Sequence, residues 1–226
     1  MPAEGRVVAI HQPNYLPYLG FFHKMALADV FVVYDTAKFS KNGVTNRNKI
    51  KTRTGAQWLT VPVRKPAGRA IKDVEIASPA WTEKHVKSLQ ASYQAAPYFS
   101  SYFSDLRAIL SKDWTKLSDV NTALIQIIMD WLSVSPRMVL ASTLPLPPSV
   151  DATEKIIHYA KASGGSVYLS GPSGKTYLKS EKFKEIDLRF AEFFPKPYPQ
   201  LHGSFLSNLS SIDAIFNCGE KARTLL

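Results

Sequence analysis

"RVVAIHQPNYLPYLGFFHKMALADVFVVYDT", residues 6–36, holds two short apolar runs on either side of a segment whose apolar residues recur at helical spacing. RVVAIHQ and DVFVVYDT read as strands, and YLGFFHKMALA reads as a helix. Strand, helix and strand packed so closely call for a crossover connection and parallel pairing. The expected fold is therefore α/β: a mostly parallel sheet with flanking helices and a Rossmann-like βαβ start. Ligands of such sheets gather beyond the carboxyl ends of the strands. His11-Gln12 and Tyr34-Asp35 then share one rim.

Outward from this unit, AQWLTVPV (56–63) reads as a third strand. Three helical patterns follow in a row and form an inserted helical block over about residues 79–133, the last with an apolar stripe through Leu124, Ile127, Ile128 and Trp131. RMVLAS, SVYLS and EIDLRFAEFF read as further strands. DATEKIIHYAKASGG reads as a helix capped by Asp151 and stopped by Gly164-Gly165. A short closing helix lies in NLSSIDAIFNCG, where Asp213 stands three residues after Ser210 in a capping arrangement. The proline-rich STLPLPPSVD (142–151) reads as a rigid loop within one α/β domain spanning 1–226.

Hydrophobic residues make up 45% of the 226, enough to bury a core. No apolar run reaches the roughly 18 residues of a membrane span, and the first residues lack the pattern of a secretory signal, so a cytoplasmic protein with no membrane span is expected. The single cysteine, Cys218, excludes an internal disulfide framework. The net charge is +10, and its distribution is uneven. Between Asp35 and Asp73 there is no acidic residue, while ten lysines and arginines fall there. This stretch carries the whole excess and calls for an anionic partner.

The densest polar cluster is HQPNYLP. His11 can act as acid or base, and Gln12 and Asn14 offer both donors and acceptors beside it. Asp35 and Lys38 lie just past the second strand. Asn46-Arg47-Asn48-Lys49 combines a guanidinium fork with amides and an ammonium, a set suited to phosphate and sugar. Asn42-Gly43 marks a turn in this basic loop. SGPSGKTYL (170–178) looks like a phosphate-binding loop, but a Walker A loop needs glycine six residues before its lysine, and the residue six before Lys175 is Leu169. It reads as a turn between strands, with a contact from Lys175 to an anion left open. His85 follows Trp81 at helical spacing and reads as a packed, hydrogen-bonded pair. No histidine has a partner at metal-ligand spacing, so no metal site is expected. Neither a hydrolase elbow nor a dinucleotide fingerprint occurs.

These stretches as a set resemble the WbqC-like family: IHQPNYLPYLGFFHKMALADVFVVYD, KFSKNGVTNRNKIKT with QWLTVPV, YLSGPSGKTYL, YPQL and NLSSIDAIFNCG. His11, Gln12, Pro13, Asn14, Tyr15, Pro17, Asp35, Asn46, Arg47, Asn48, Trp58, Pro62, Ser170, Gly171, Tyr177, Tyr198, Gln200 and Asp213 match its motif positions. Tyr15, Ser170, Tyr177, Tyr198 and Gln200 join the candidate binding residues on that ground. The resemblance implies a bacterial protein of surface-glycan (O-antigen) or specialised-metabolite biosynthesis, and supplies no catalytic assignment. A more distant similarity is to the nucleotidyltransferase superfamily. Its first loop carries H-x-G-H, where this chain has Tyr15-Leu16-Pro17-Tyr18.

Together these features suggest a transferase or ligase, for acyl, aminoacyl or related groups. It would act on an anionic substrate that is nucleotide-linked, CoA-linked or carrier-linked. His11 and Asp35 are its candidate catalytic groups. A tRNA-binding module and an inactive enzyme-like scaffold are the alternatives. The cofactor, including any Mg²⁺ that accompanies a phosphate, and the oligomeric state stay open.

Overall fold

A computed structural model describes residues 5–145 and 151–226. Residues 146–150 of the proline-rich loop lie outside that range. The expected βαβ unit forms from β1 (Val7–His11), α1 (Leu19–Ala26) and β2 (Val30–Val33), with β1 and β2 parallel. Later in the chain come β7 (Arg137–Leu140), β8 (Val167–Ser170) and β9 (Asp187–Phe190). The five strands form one sheet in the order β7-β2-β1-β8-β9, and every pairing is parallel. β2 and β8 are buried along their whole length, which is why they read as unbroken apolar runs.

Side chains alternate across this sheet into two apolar layers. Ala9, Phe31, Val33 and Leu169 face a large core shared with α1 and with α2 (Trp81–Tyr93), α3 (Phe99–Leu110) and α4 (Leu117–Trp131), the expected helical block. Val8, Ile10, Val30, Val32 and Tyr168 face the other way, onto α5 (Ala152–Ala162). The N-terminus of α5 carries a full capping box between Asp151 and Glu154. It ends at Gly164, whose φ of 80° favours glycine. α6 (Ser211–Cys218) closes the first layer.

Two expectations are corrected. AQWLTVPV does form a strand, β4 (Gly55–Thr60), but it lies outside the main sheet and pairs antiparallel with β3 (Arg47–Thr52). Part of the basic "loop" is therefore strand. Asn48 and Ile50 point inward while Arg47 and Lys49 stay half-exposed, a period of two that the cationic composition hid. A second small pair, β5 (Val63–Arg64) with β6 (Glu75–Ile76), completes this outlying region. Nor is Asp213 a capping residue. Ser210 alone caps α6, and Asp213 is fully buried.

Candidate functional site

In strand sequence the main sheet runs third, second, first, fourth, fifth. The chain winds outward from β1 through β2 to β7, then returns to β8 on the other side of β1. The switch between the two windings lies between the carboxyl ends of β1 and β8, where a doubly wound sheet opens a crevice. A cavity of about 350 Å³ occupies that place. His11 and Gln12 line it from β1, Tyr34 from the end of β2, and Tyr168, Ser170 and Gly171 from β8. Ser173 and Tyr177 from the following turn, the first turn of α5, and Lys24 from α1 complete the wall. No carboxylate side chain is among the described residues that line it.

His11 is held in one tautomer. Its Nδ1 lies 3.0 Å from the carbonyl oxygen of Gln12, so Nδ1–H donates there and Nε2 is left as an acceptor. The ring packs edge-on against Phe21 at 4.9 Å. Burial, with the Lys24 charge nearby, pushes the imidazole down to about 3, so it is neutral across the physiological range. Lys24 is buried and donates to the carbonyl of Ile10 at 3.0 Å. Burial pulls its amine down to about 7.

Pro13 to Tyr18, which leave β1, are tied down from several directions. Asn121 of α4 donates to the carbonyls of Pro13 (2.8 Å) and Thr45 (2.7 Å). Asn48 donates to the carbonyl of Leu16 at 2.6 Å, where the backbone takes a φ of 42°. Tyr15 receives the carbonyl of Val44 on its own N–H, and its hydroxyl bonds His85 at 2.7 Å. His85 in turn packs edge-on against Trp81, the expected pair. A leucine at positive φ is strained, and such a conformation persists only where the surroundings over-determine it. These ties hold His11 and Gln12 rigidly at the cavity. Asn121→Ala removes two donors to buried carbonyls, so it is expected to cost about 2 kcal/mol, read as a lowered urea midpoint with an unchanged slope.

The other candidate residues sort clearly by position. Gln12, Ser170 and Tyr177 line the cavity with His11. Thr45 donates to the Gln12 side chain at 3.4 Å, which joins the cavity rim to the start of the basic hairpin. Asn14 and Tyr15 are buried beneath the loop. Asp35 turns away from the rim: its two carboxylate oxygens accept the N–H and the hydroxyl of Ser142 beyond β7. Lys38 is exposed. Asn46 donates to Val61, and Arg47 donates to the carbonyls of Asn42 and Gly43 while stacking over Trp58 at 4.3 Å. Lys49 lies 4.9 Å from the same ring. Lys175 pairs with Glu192 at 3.0 Å and does not line the cavity, and its loop is a short 3-10 turn over Pro172–Thr176.

Tyr198 and Gln200 belong to a separate buried network. Asp213 accepts from Tyr93 (2.7 Å), Tyr198 (2.8 Å) and Gln200 (2.9 Å). Lys51, almost fully buried, donates to Gln200 and to the carbonyls of Gly203 and Ser204. Burial raises the Asp213 carboxyl, and the three hydrogen bonds oppose it. This network fastens α6 and the YPQL segment to β3 and α2.

Reading the sequence missed Lys24 and Tyr168 as cavity residues. Lys24 had a signal: it stands three residues after Phe21 and next to Met25, inside the buried stripe of α1, where a lysine has no solvent to reach. Among the described residues no group of three or more His, Cys, Asp or Glu could hold a metal ion, and no helix is long and apolar enough to cross a membrane.

A family model described as the WbqC-like protein family matches residues 12–225. The chain is 34% identical over 222 residues to the uncharacterized protein Rv1507c of Mycobacterium tuberculosis, an alignment covering 95% of each. No solved structure matches.

Proposed function

The chain belongs to the WbqC-like protein family, and on that premise we propose that it is a cytoplasmic group-transfer enzyme of surface-glycan or specialised-metabolite biosynthesis. It moves an acyl, aminoacyl or related group from an activated, phosphate-bearing donor bound at the switch-point cavity. The observation that carries this reading is the cavity itself, which has a lysine and a tautomer-fixed histidine in its wall and no carboxylate to repel an anion. Gln12, Ser170 and Tyr177 orient the donor, and the Nε2 of His11 accepts a hydrogen bond from it.

The test is a thermal-shift screen against pyrophosphate, nucleotides, nucleotide sugars and acyl-CoAs. A ligand at about 100 times its Kd contributes roughly 2.7 kcal/mol, which in a chain of this size raises Tm by about 5–10 °C. His11→Ala is expected to lower turnover with that donor far more than it weakens binding. Absence of stabilisation by every compound class would sink the reading and favour an inactive scaffold.

One observation favours a second reading. The cations of the β3–β4 hairpin and its flanks have almost no carboxylate partners: among the described residues only Lys72 of this stretch is ion-paired, with Asp73. A tRNA would suit that face. Its binding would weaken steeply between about 50 and 200 mM salt as several counterions are released, whereas a pyrophosphate-sized ligand would respond gently.

A further inference from the structure

We propose that Lys24 is the catalytic base of the switch-point cavity, taking the proton of an amine or hydroxyl acceptor as that acceptor attacks the donor. The assignment rests on the group-transfer reading above and names the residue that performs its proton transfer.

Geometry carries it first. The Lys24 amine sits at the carboxyl end of β1, bonded to the carbonyl of the residue just before His11, and it lines the same cavity as His11, Gln12 and Ser170. Its fixed bond to Ile10 uses one of the nitrogen's four positions and so orients the rest. The titratable groups that share the cavity with it are His11 from β1, Tyr34 from β2, Tyr168 from β8 and Tyr177 from the turn beyond. None is charged at neutral pH, because burial raises all three phenols and lowers the imidazole. The acidic pair at the start of α5, Asp151 and Glu154, is committed to Lys179, Lys182 and the helix cap.

A buried ammonium without a carboxylate gives up its proton readily. Burial brings Lys24 to about 7, where a general base works best at neutral pH. His11, at about 3, is too weak a base to compete and instead positions the substrate.

The step balances without a co-reactant. The acceptor's nitrogen or oxygen forms a bond to the electrophilic carbonyl carbon of the donor, and its proton passes to the Lys24 nitrogen. The bond from that carbon to the leaving group breaks, and its electron pair departs with the leaving group. The Lys24 ammonium then returns the proton to the leaving group, and the amine is restored.

Competitive acetylation with trace acetic anhydride, followed peptide by peptide from pH 5 to 10, tests the assignment. Lys24 is expected to label with a midpoint near pH 7. Saturating pyrophosphate is expected to slow labelling at Lys24 at least about fivefold and to leave Lys38 unchanged. A Lys24 midpoint near 10, no labelling by so small a reagent, or labelling that bound pyrophosphate does not slow would each overturn the proposal. Absence of thermal stabilisation by pyrophosphate and by every other compound class of the screen overturns the group-transfer reading instead, so the two failures are distinct. Once the screen has supplied a donor, Lys24→Met should reduce kcat at least about 100-fold and remove the pH 7 limb of the rate profile. Lys24→Arg, always charged, should not restore it.

Discussion

Asp213→Ala is expected to lower the free energy of unfolding by about 3–5 kcal/mol, the penalty for breaking a buried charged network from one side. Tyr93, Tyr198 and Gln200 all donate to this carboxylate, and the substitution takes that acceptor from all three, including the fully buried Tyr93 hydroxyl. It also removes a negative charge that interacts with the buried Lys51. Against a total of roughly 5–15 kcal/mol for a domain, the loss is severe. Urea unfolding followed by far-UV circular dichroism reads it directly. Asp213→Asn keeps one acceptor oxygen and is expected to lose only about 1–3 kcal/mol. Two variants of equal and small effect would show that packing, not the carboxylate, fastens α6 to the rest of the protein.

Lys24→Met acts in the opposite direction. In the unfolded chain this amine has the ordinary lysine pKa of 10.5, and in the folded protein burial lowers it to about 7. Between those two values the unfolded state holds a proton that the folded state has released, so wild-type stability rises with pH across that window. Below about pH 7 the folded protein carries a buried ammonium at a cost of roughly 4–5 kcal/mol relative to the unfolded chain. Methionine removes the cost and forfeits one hydrogen bond, worth about 1 kcal/mol. The variant should therefore be about 3–4 kcal/mol more stable than wild type at pH 6, and the advantage should vanish as pH approaches 10.5. Unfolding midpoints of the two proteins at pH 6, 8 and 10 measure it. A variant less stable than wild type at pH 6 would mean that Lys24 is a structural asset, which a catalytic group held against its preference is not.

Much of the architecture was legible because its signals are local. The parallel start was readable in two apolar runs flanking a helical stripe, and α2 to α4 and α5 declared themselves by spacing and caps. β3 was hidden because its outward residues are cationic and its pattern resembles a loop until the alternation of Asn48 and Ile50 is noticed. Asp213 matched a capping pattern by its distance from Ser210, yet its partner Tyr93 lies 120 residues earlier. No local rule contains that contact. Among the candidate site residues, His11, Gln12 and Ser170 at strand ends line one cavity. Residues chosen for charge or polarity scattered. Arg47 braces its own turn, Asp35 binds Ser142, and Tyr198 and Gln200 serve the buried network.

β1 stands at the centre of the sheet, and one of its two neighbours is β8, which begins at residue 167. On the ribosome, β1 and β2 emerge before the helical block, and the whole of that block must be made before the second wall of the cavity exists. Such distant pairing is slow to form, because long loops must close before their contacts give anything back. A nascent chain shorter than about 170 residues has His11 and Lys24 but no crevice around them. Until β8 docks, the future site is an open sheet edge, exposed to other chains for as long as synthesis lasts, and a substrate can stabilise the protein only after this last step is complete.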